Sequence, residues 1–448
     1  MKQPVSMLRA AAMSKVVGPA LVKAQSVADR ARRLLRRRAA PAGASAPALF
    51  GPPLAAGRRL KELISLYYLE GRYAAGTRPV AWVTSGVPVE VLRALGYYIA
   101  YPENHAALCS ARHLGAGLCA VAEQAGYSRD LCSYARIDIG SLLSGKTPVG
   151  SIPRPDLLLA CTNICQTVVY WFRTLSRQLG VPLVVLDTPF VHGQPRHHAR
   201  LYVRDQLRAL AQLAEEQSGR RLEAARFEQV LHHSRTAVQL WREVLELARC
   251  RPAPWGAFDM FVFMAPIVVL RGLPSAVSFY QTLKKELLER SKQGIGGIRR
   301  ERLRLLWDNL PIWYRMRRLS HLFAERGAAL VGASYTHAWA TAADLLDPGS
   351  PWLSLADAYM QVYLNQDLRL RRELLSRLCR DMAVDGVIFH SNRSCKSYSI
   401  GQREIADWLQ QTLGIRCLVL EADHADERAY SDEAVESRLE AFLESFGS

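Results

Sequence analysis

The stretch 156-DLLLACTNICQTVVYWFRTLSRQLGVPLVVLD-187 decides the fold. Four apolar residues, Leu157 to Ala160, follow Pro155-Asp156, the pattern of a short strand buried in a parallel sheet. Thr162 and Asn163 are good helix-capping residues, and apolar residues then recur at helical spacing from Ile164 to Leu179. Gly180-Val181-Pro182 stops that helix, and Leu183 to Asp187 reads as the next strand. The stretch is therefore a β-α-β unit with Cys161 and Cys165 at its strand-to-helix turn. In open parallel sheets ligands sit beyond this end of the strands. A thiol beside a helix N-terminus is also biased toward its thiolate.

Two further cysteines extend this pattern. Cys132 lies 33 positions before Cys165, in a polar segment flanked by Tyr and Arg. Cys395 follows another short strand, Asp385 to Phe389, in the loop HSNRSCKSYS that leads to a helix from about Gln402. Three cysteines in such loops can converge and hold an iron–sulfur cluster with one iron left open. They can equally be buried, inert thiols. No CxxC pattern is present, and the spacing does not choose between the two.

The 448 residues have room for two or three domains. Nine cysteines without a secretory signal point to a reducing compartment, and the longest apolar run, Met260 to Leu270, is too short to span a bilayer. A soluble, cytoplasmic protein is expected. The net charge of +17 is concentrated in an arm: residues 1–61 hold 13 Lys or Arg against one acid, Asp29, whereas the other 387 residues carry only +5. The arm, centred on 28–38, suits RNA, an anionic membrane, an acidic protein or a transit function, and is equally a solvated extension. Since the body is nearly neutral, nucleic acid is not an expected partner.

Taken in order, residues 1–59 are a basic, Pro/Ala-rich extension, with a linker at 41–57. Residues 60–195 form a first α/β domain: a helix from Leu60 to Tyr73, a strand from Pro79 to Thr84, and a second strand that ends in a polar loop at Tyr101-Pro102-Glu103-Asn104. Long helical periodicity from His197 to Ser320 marks a helical domain, 196–322. The α/β pattern resumes at Gly327 to Ser334 in a second α/β domain, 323–448.

Other motifs carry weaker signals. GSLLSGKT (140–147) fits the expression for a nucleotide-binding loop, but helix precedes it and Pro148 and Pro153 follow, so no helix opens after it. His105 and His337 are candidate proton carriers, though a lone His is more often structural. Glu421, Asp423 and Asp426 suggest a metal site or, more simply, a solvated loop facing a partner. Cys109, Cys119, Cys250, Cys379 and Cys417 read as core or incidental cysteines. The Asn392-Arg393-Ser394 sequon has no meaning in a cytosolic protein.

GYSRDLCSYAR (126–136), CTNICQTVVYW (161–171) and NRSCKSYS (392–399), with YPENHAA (101–107), TSGVPVE (84–90), SYTHAWA (334–340) and LEADHADERAYS (420–431), resemble the 2-hydroxyacyl-CoA dehydratase and benzoyl-CoA reductase family. The likeness runs from about Gly71 to the C-terminus and is closest to the α-type dehydratase subunit. It implies two Rossmann/flavodoxin-like α/β/α domains facing each other, with a helical domain between them. It also implies a [4Fe-4S] cluster with one iron free of cysteine, on Cys132, Cys165 and Cys395, with Cys161 the rival for the second position. Ser85 and Glu103, otherwise an N-cap serine and a surface carboxylate, match active-site positions: a hydrogen-bond donor and an acid/base near the leaving hydroxyl.

The implied activity is that of a hydro-lyase: water leaves an (R)-2-hydroxyacyl-CoA through ketyl radicals after ATP-driven one-electron activation. The implied partners are a related β subunit in a heterodimer and an ATP-dependent iron–sulfur activator protein, with acyl-CoA as substrate. The alternatives are an aromatic thioester reductase of the benzoyl-CoA type and a non-catalytic iron–sulfur electron carrier.

Overall fold

The computed structural model describes residues 48–447. The centre of the basic arm, 28–38, lies outside the described residues. The described end of the expected extension is docked rather than free. The Gly51 N–H donates to the Gly297 carbonyl at 3.0 Å, Phe50 bridges Ile298 in antiparallel fashion, and a helix is already under way at Ala56.

Two parallel four-stranded sheets form the frame. The first contains β1 (Val80–Val83), β2 (Tyr98–Ala100), β3 (Leu157–Cys161) and β4 (Leu183–Leu186) in the order β2-β1-β3-β4. The second contains β5 (Leu303–Asp308), β6 (Ala328–Ala333), β7 (Gly386–Asn392) and β8 (Arg416–Ala422) in the order β6-β5-β7-β8. The same winding occurs twice. In each sheet the chain reverses direction beside a central pair, β1/β3 or β5/β7, which opens a crevice beyond the strand ends. β1 and β3 are fully buried, as unbroken apolar runs in a covered parallel sheet should be.

The β-α-β expectation for 156–187 holds. The helix Gln166–Leu179 turns Val168, Val169, Trp171, Phe172 and Leu175 inward, each large side chain contributing about 1.5–3 kcal/mol by burial. Gly180, at φ 62°, ends it in the left-handed conformation that suits glycine. The cap differs from expectation: Cys165, not Thr162 or Asn163, occupies the N-cap position. Asn163 is drawn elsewhere, its amide donating to the carbonyls of Gly86 and Tyr359, both at 2.8 Å. The Thr162 hydroxyl accepts from the Thr188 N–H at 2.8 Å.

Two other expectations need correction. The sequence Tyr101 to Asn104 is not a polar loop; Pro102 opens the helix Pro102–Ala111, and its fixed φ suits a first turn. Within the stretch expected to be helical, 196–322, the structure also has a strand: β5 at Leu303–Asp308, paired with β6 and β7. Arg304 disguises that strand. It is buried at 1% exposure, ion-paired to Glu301, and donates from Nε to the Met382 carbonyl at 2.7 Å.

Between the sheets in sequence lie the helices His197–Ser218, Ala224–Glu246, Ala257–Phe263, Ala265–Val269 and Pro274–Lys292. Trp241 centres their packing, its ring 5.9 Å from Trp255 and 5.3 Å from Tyr280. The apolar run 260–270 is split between two short helices, with Pro266 in the first turn of the second. Among the described residues no helix is long and apolar enough to cross a membrane.

Candidate active site

The crevices of the two sheets open onto one cavity of about 660 Å³. From the first sheet, Ser85 and Gly86 follow β1 and Cys165 follows β3, flanking the point where the winding reverses. Gly86 is required there: a Cβ at that position would meet Asn163 Oδ1 at 2.6 Å and the Ile164 side chain at 2.7 Å. Without one, the two loops close against each other. From the second sheet, Cys395 follows β7 at the same place in the winding that Cys165 holds in the first.

Ser85 and Glu103 meet directly. The Ser85 hydroxyl donates to Glu103 Oε2 at 2.7 Å, and the Ser85 N–H donates to the same oxygen. Glu103 is half-buried and faces the cavity. Burial therefore pushes its carboxyl up, against the two Ser85 hydrogen bonds that favour its charge. A carboxyl raised in this way holds a proton further toward neutral pH than a surface glutamate, so Glu103 is not the surface group that its sequence suggested.

Cys132, Cys165 and Cys395 all line this cavity. Each is the N-cap residue of the helix that follows it, Ser133–Ser144, Gln166–Leu179 and Lys396–Ser399 respectively, without a side-chain cap hydrogen bond. Burial raises the pKa of all three, and the neighbouring cysteines push Cys132 up further and add to the rise at Cys395, which reaches about 12. Cys161 is elsewhere: at the end of β3, fully buried, its sulfur 3.8 Å from Thr188 Oγ1 and outside the cavity lining. Cys109, Cys119, Cys250, Cys379 and Cys417 do not line the cavity either. Among the described residues no three His, Cys, Asp or Glu side chains converge closely enough for a single metal ion.

The remaining candidates separate from the site. His105 Nε2 sits 2.8 Å from Thr147 Oγ1, His337 Nδ1 donates to the Ala333 carbonyl at 2.9 Å, and burial pulls both imidazoles down to about 4. Neither lines the main cavity. GSLLSGKT occupies the C-terminal end of the helix Ser133–Ser144, which stops at left-handed Gly145. That is the carbonyl end, the wrong polarity for phosphate.

The solvated-loop reading of Glu421, Asp423 and Asp426 fails for two of the three. Asp423 and Asp426 are buried, and Asp426 pairs with Arg136 at 2.9 Å, while Glu421 is exposed beside Arg393. Between them, His424 lines the cavity, with Nε2 3.1 Å from Ser133 Oγ and Nδ1 within hydrogen-bonding reach of the Asn392 amide. His424 went unrecognised because its neighbours are charged residues typical of a surface turn.

A family model described as 2-hydroxyglutaryl-CoA dehydratase, D-component, matches residues 84–446. The chain belongs to that family. It is 33% identical over 375 residues to the (R)-2-hydroxyisocaproyl-CoA dehydratase alpha subunit of Clostridioides difficile, covering 82% of this chain and 90% of that one. It is 30% identical over 414 residues to the lactoyl-CoA dehydratase alpha subunit of Anaerotignum propionicum, covering 87% and 97%. One of the benzoyl-CoA reductase subunits of Thauera aromatica is 30% identical over 400 residues, with 86% and 93% covered. The dehydratases of this family are hydro-lyases, the enzyme class expected for this chain.

Proposed function

We propose that this chain is the cluster-bearing, substrate-binding subunit of an oxygen-sensitive (R)-2-hydroxyacyl-CoA dehydratase. Cys132, Cys165 and Cys395 would hold a [4Fe-4S] cluster with one iron free of cysteine. The observation that carries this reading is that three cysteines, from three loops far apart in sequence, face the cavity that the Ser85–Glu103 pair also faces. The donor set suits the group. Three thiols kept protonated by burial, with neighbouring cysteines adding to the rise at Cys132 and Cys395, can become thiolates together only against a strongly cationic centre. Three cysteines that line one cavity are the donor type and number that a [4Fe-4S] cluster with one iron free of cysteine needs. When bound, the cluster supplies one-electron chemistry and a Lewis-acidic iron.

The chain's own residues would do the rest. Glu103 would donate the proton to the departing hydroxyl, so that it leaves as water, and the Ser85 hydroxyl fixes the carboxyl's orientation. The apolar and aromatic walls keep water from the reacting thioester. An added electron turns the thioester carbonyl into a ketyl that expels the 2-hydroxyl. Loss of the now acidic β-proton then gives the 2-enoyl thioester and returns the electron, so the net change is loss of one water. We read each sheet as the first four strands of the flavodoxin-like winding, order 2-1-3-4. The partners in this reading are a related β subunit and an ATP-hydrolysing iron–sulfur activator.

The similarity to a benzoyl-CoA reductase chain favours a second reading, an aromatic thioester reductase. Product formed per electron injected separates the two. A dehydratase makes many enoyl-CoA molecules per electron under anaerobic assay, whereas strictly stoichiometric electron consumption contradicts the dehydratase reading.

A further inference from the structure

Resting on the acyl-CoA reading above, we infer that the substrate's acyl side chain is a hydrocarbon, aliphatic or aromatic, without a terminal carboxylate. The walls contributed by the helical layer and the segment after β6 are mainly apolar, with Val238, Val268, Trp339, Ala342, Leu346 and Ala358, and the Thr341 hydroxyl there is taken by the Ala338 carbonyl at 2.9 Å. The buried arginine that a dicarboxylic acyl group would need is present, but it is already engaged. Arg271, 3% exposed, lines the cavity and holds Glu90 Oε1 at 3.2 Å, while Glu90 itself is fully buried. Nη1 donates to the Ile267 carbonyl and Nη2 to the Val87 carbonyl, both at 3.2 Å. Its guanidinium sits 5.3 Å from the Trp339 ring centre and 5.7 Å from that of Tyr359.

Glu90 is equally engaged, accepting from the Ser234 hydroxyl at 2.8 Å and the Tyr359 hydroxyl at 2.9 Å. The pair is closed and neutral. A second carboxylate in the same pocket would meet a cation whose charge is spent, and it would share the cavity with Glu103. The other basic side chains among the described lining residues do not change this. Arg317 and His113 are exposed, and His113 faces Glu427 at 3.1 Å. His424 is buried, and its burial favours the neutral imidazole. An unpaired carboxylate loses heavily on burial, whereas each methylene buried against these walls gains about fourfold in affinity.

The test uses the full-length chain purified anaerobically and thioesters that lack the 2-hydroxyl, so that binding is read without turnover. Calorimetry compares 4-methylpentanoyl-CoA, 3-phenylpropanoyl-CoA, glutaryl-CoA and coenzyme A alone. The expected result is that the first two bind at least tenfold more tightly than glutaryl-CoA, and that glutaryl-CoA binds no better than coenzyme A. Glu90→Gln, which frees the Arg271 charge, is expected to improve glutaryl-CoA binding. Should that variant fail to fold, Trp339→Ala decides, with an expected tenfold or greater loss for 3-phenylpropanoyl-CoA and none for coenzyme A. Glutaryl-CoA binding as tightly as the apolar thioesters, or no loss in Trp339→Ala, overturns the inference and leaves the acyl-CoA reading standing. If no thioester binds better than coenzyme A, the acyl-CoA reading fails and the inference falls with it.

Discussion

Ser133 and Ser394, 261 positions apart in sequence, are hydrogen-bonded: the Ser133 N–H donates to Ser394 Oγ at 3.2 Å. Ser133 follows Cys132, and Ser394 precedes Cys395, so this contact ties two of the three cavity cysteines together across the two sheets. Ser394 in turn donates to Asp423 Oδ2 at 2.5 Å, and Asp423 accepts the backbone N–H groups of Ala425 and Asp426, both at 2.9 Å. Replacing Asp423 by Ala leaves those donors buried without a partner. The expected cost is on the order of 3 kcal/mol in a denaturant titration, with faster iron loss from the anaerobic protein than in the wild type. Unchanged stability would remove Asp423 as the anchor.

Glu103 and Ser85 make a separate prediction about pH. Burial raises the Glu103 carboxyl and the Ser85 hydrogen bonds lower it. Ser85→Ala removes one of those bonds, so the ionisation of Glu103 in the kcat/KM profile should move to higher pH. Glu103→Gln is expected to lower kcat by about 10²–10⁴-fold. A shift to lower pH in Ser85→Ala would contradict the assigned contact.

Asp138 is buried against Trp171, whose Nε1 donates to Oδ2 at 2.9 Å, and burial lifts its carboxyl to about 7. In the unfolded chain it ionises near 3.8. Its contribution to stability is therefore complete below about pH 4, is lost as pH rises toward 7, and stays lost above that. Asp138→Asn should flatten the stability curve over that interval, where the wild type loses on the order of a few kcal/mol. An equal loss of unfolding free energy between pH 4.5 and 7 in both proteins, read from urea titrations, would rule this out.

Gly86→Ala tests the meeting of the two loops. Its Cβ would clash with Asn163 Oδ1 and Ile164, two residues and one residue before Cys165. The expected loss is about 1–3 kcal/mol of stability, accompanied by weaker iron retention. Retention equal to wild type would show that the Cys165 loop tolerates displacement.

Much of this arrangement can be read in the sequence because its signals are local. The β-α-β unit at 156–187 declares itself through one apolar run, one helical period and Gly180. The positions of Cys165 and Cys395 follow from the strands before them. What is not legible depends on distant partners. Arg304 makes β5 look like helix surface until Glu301 and the Met382 carbonyl are seen around it. Asp423, His424 and Asp426 look solvated until Arg136, Ser133 and Ser394 arrive from far along the chain. The neutral Arg271–Glu90 pair joins residues 181 positions apart, and no periodicity signals it.

Iron and acid-labile sulfide content, measured anaerobically on the wild type and on Cys132→Ala, Cys165→Ala, Cys395→Ala and Cys161→Ala, tests the central claim most directly. About four irons per chain are expected, lost or sharply reduced in the first three variants. Full content is expected in Cys161→Ala, whose sulfur lies outside the cavity lining. A wild-type protein without iron after anaerobic reconstitution, or iron lost only with Cys161, would contradict the cluster assignment.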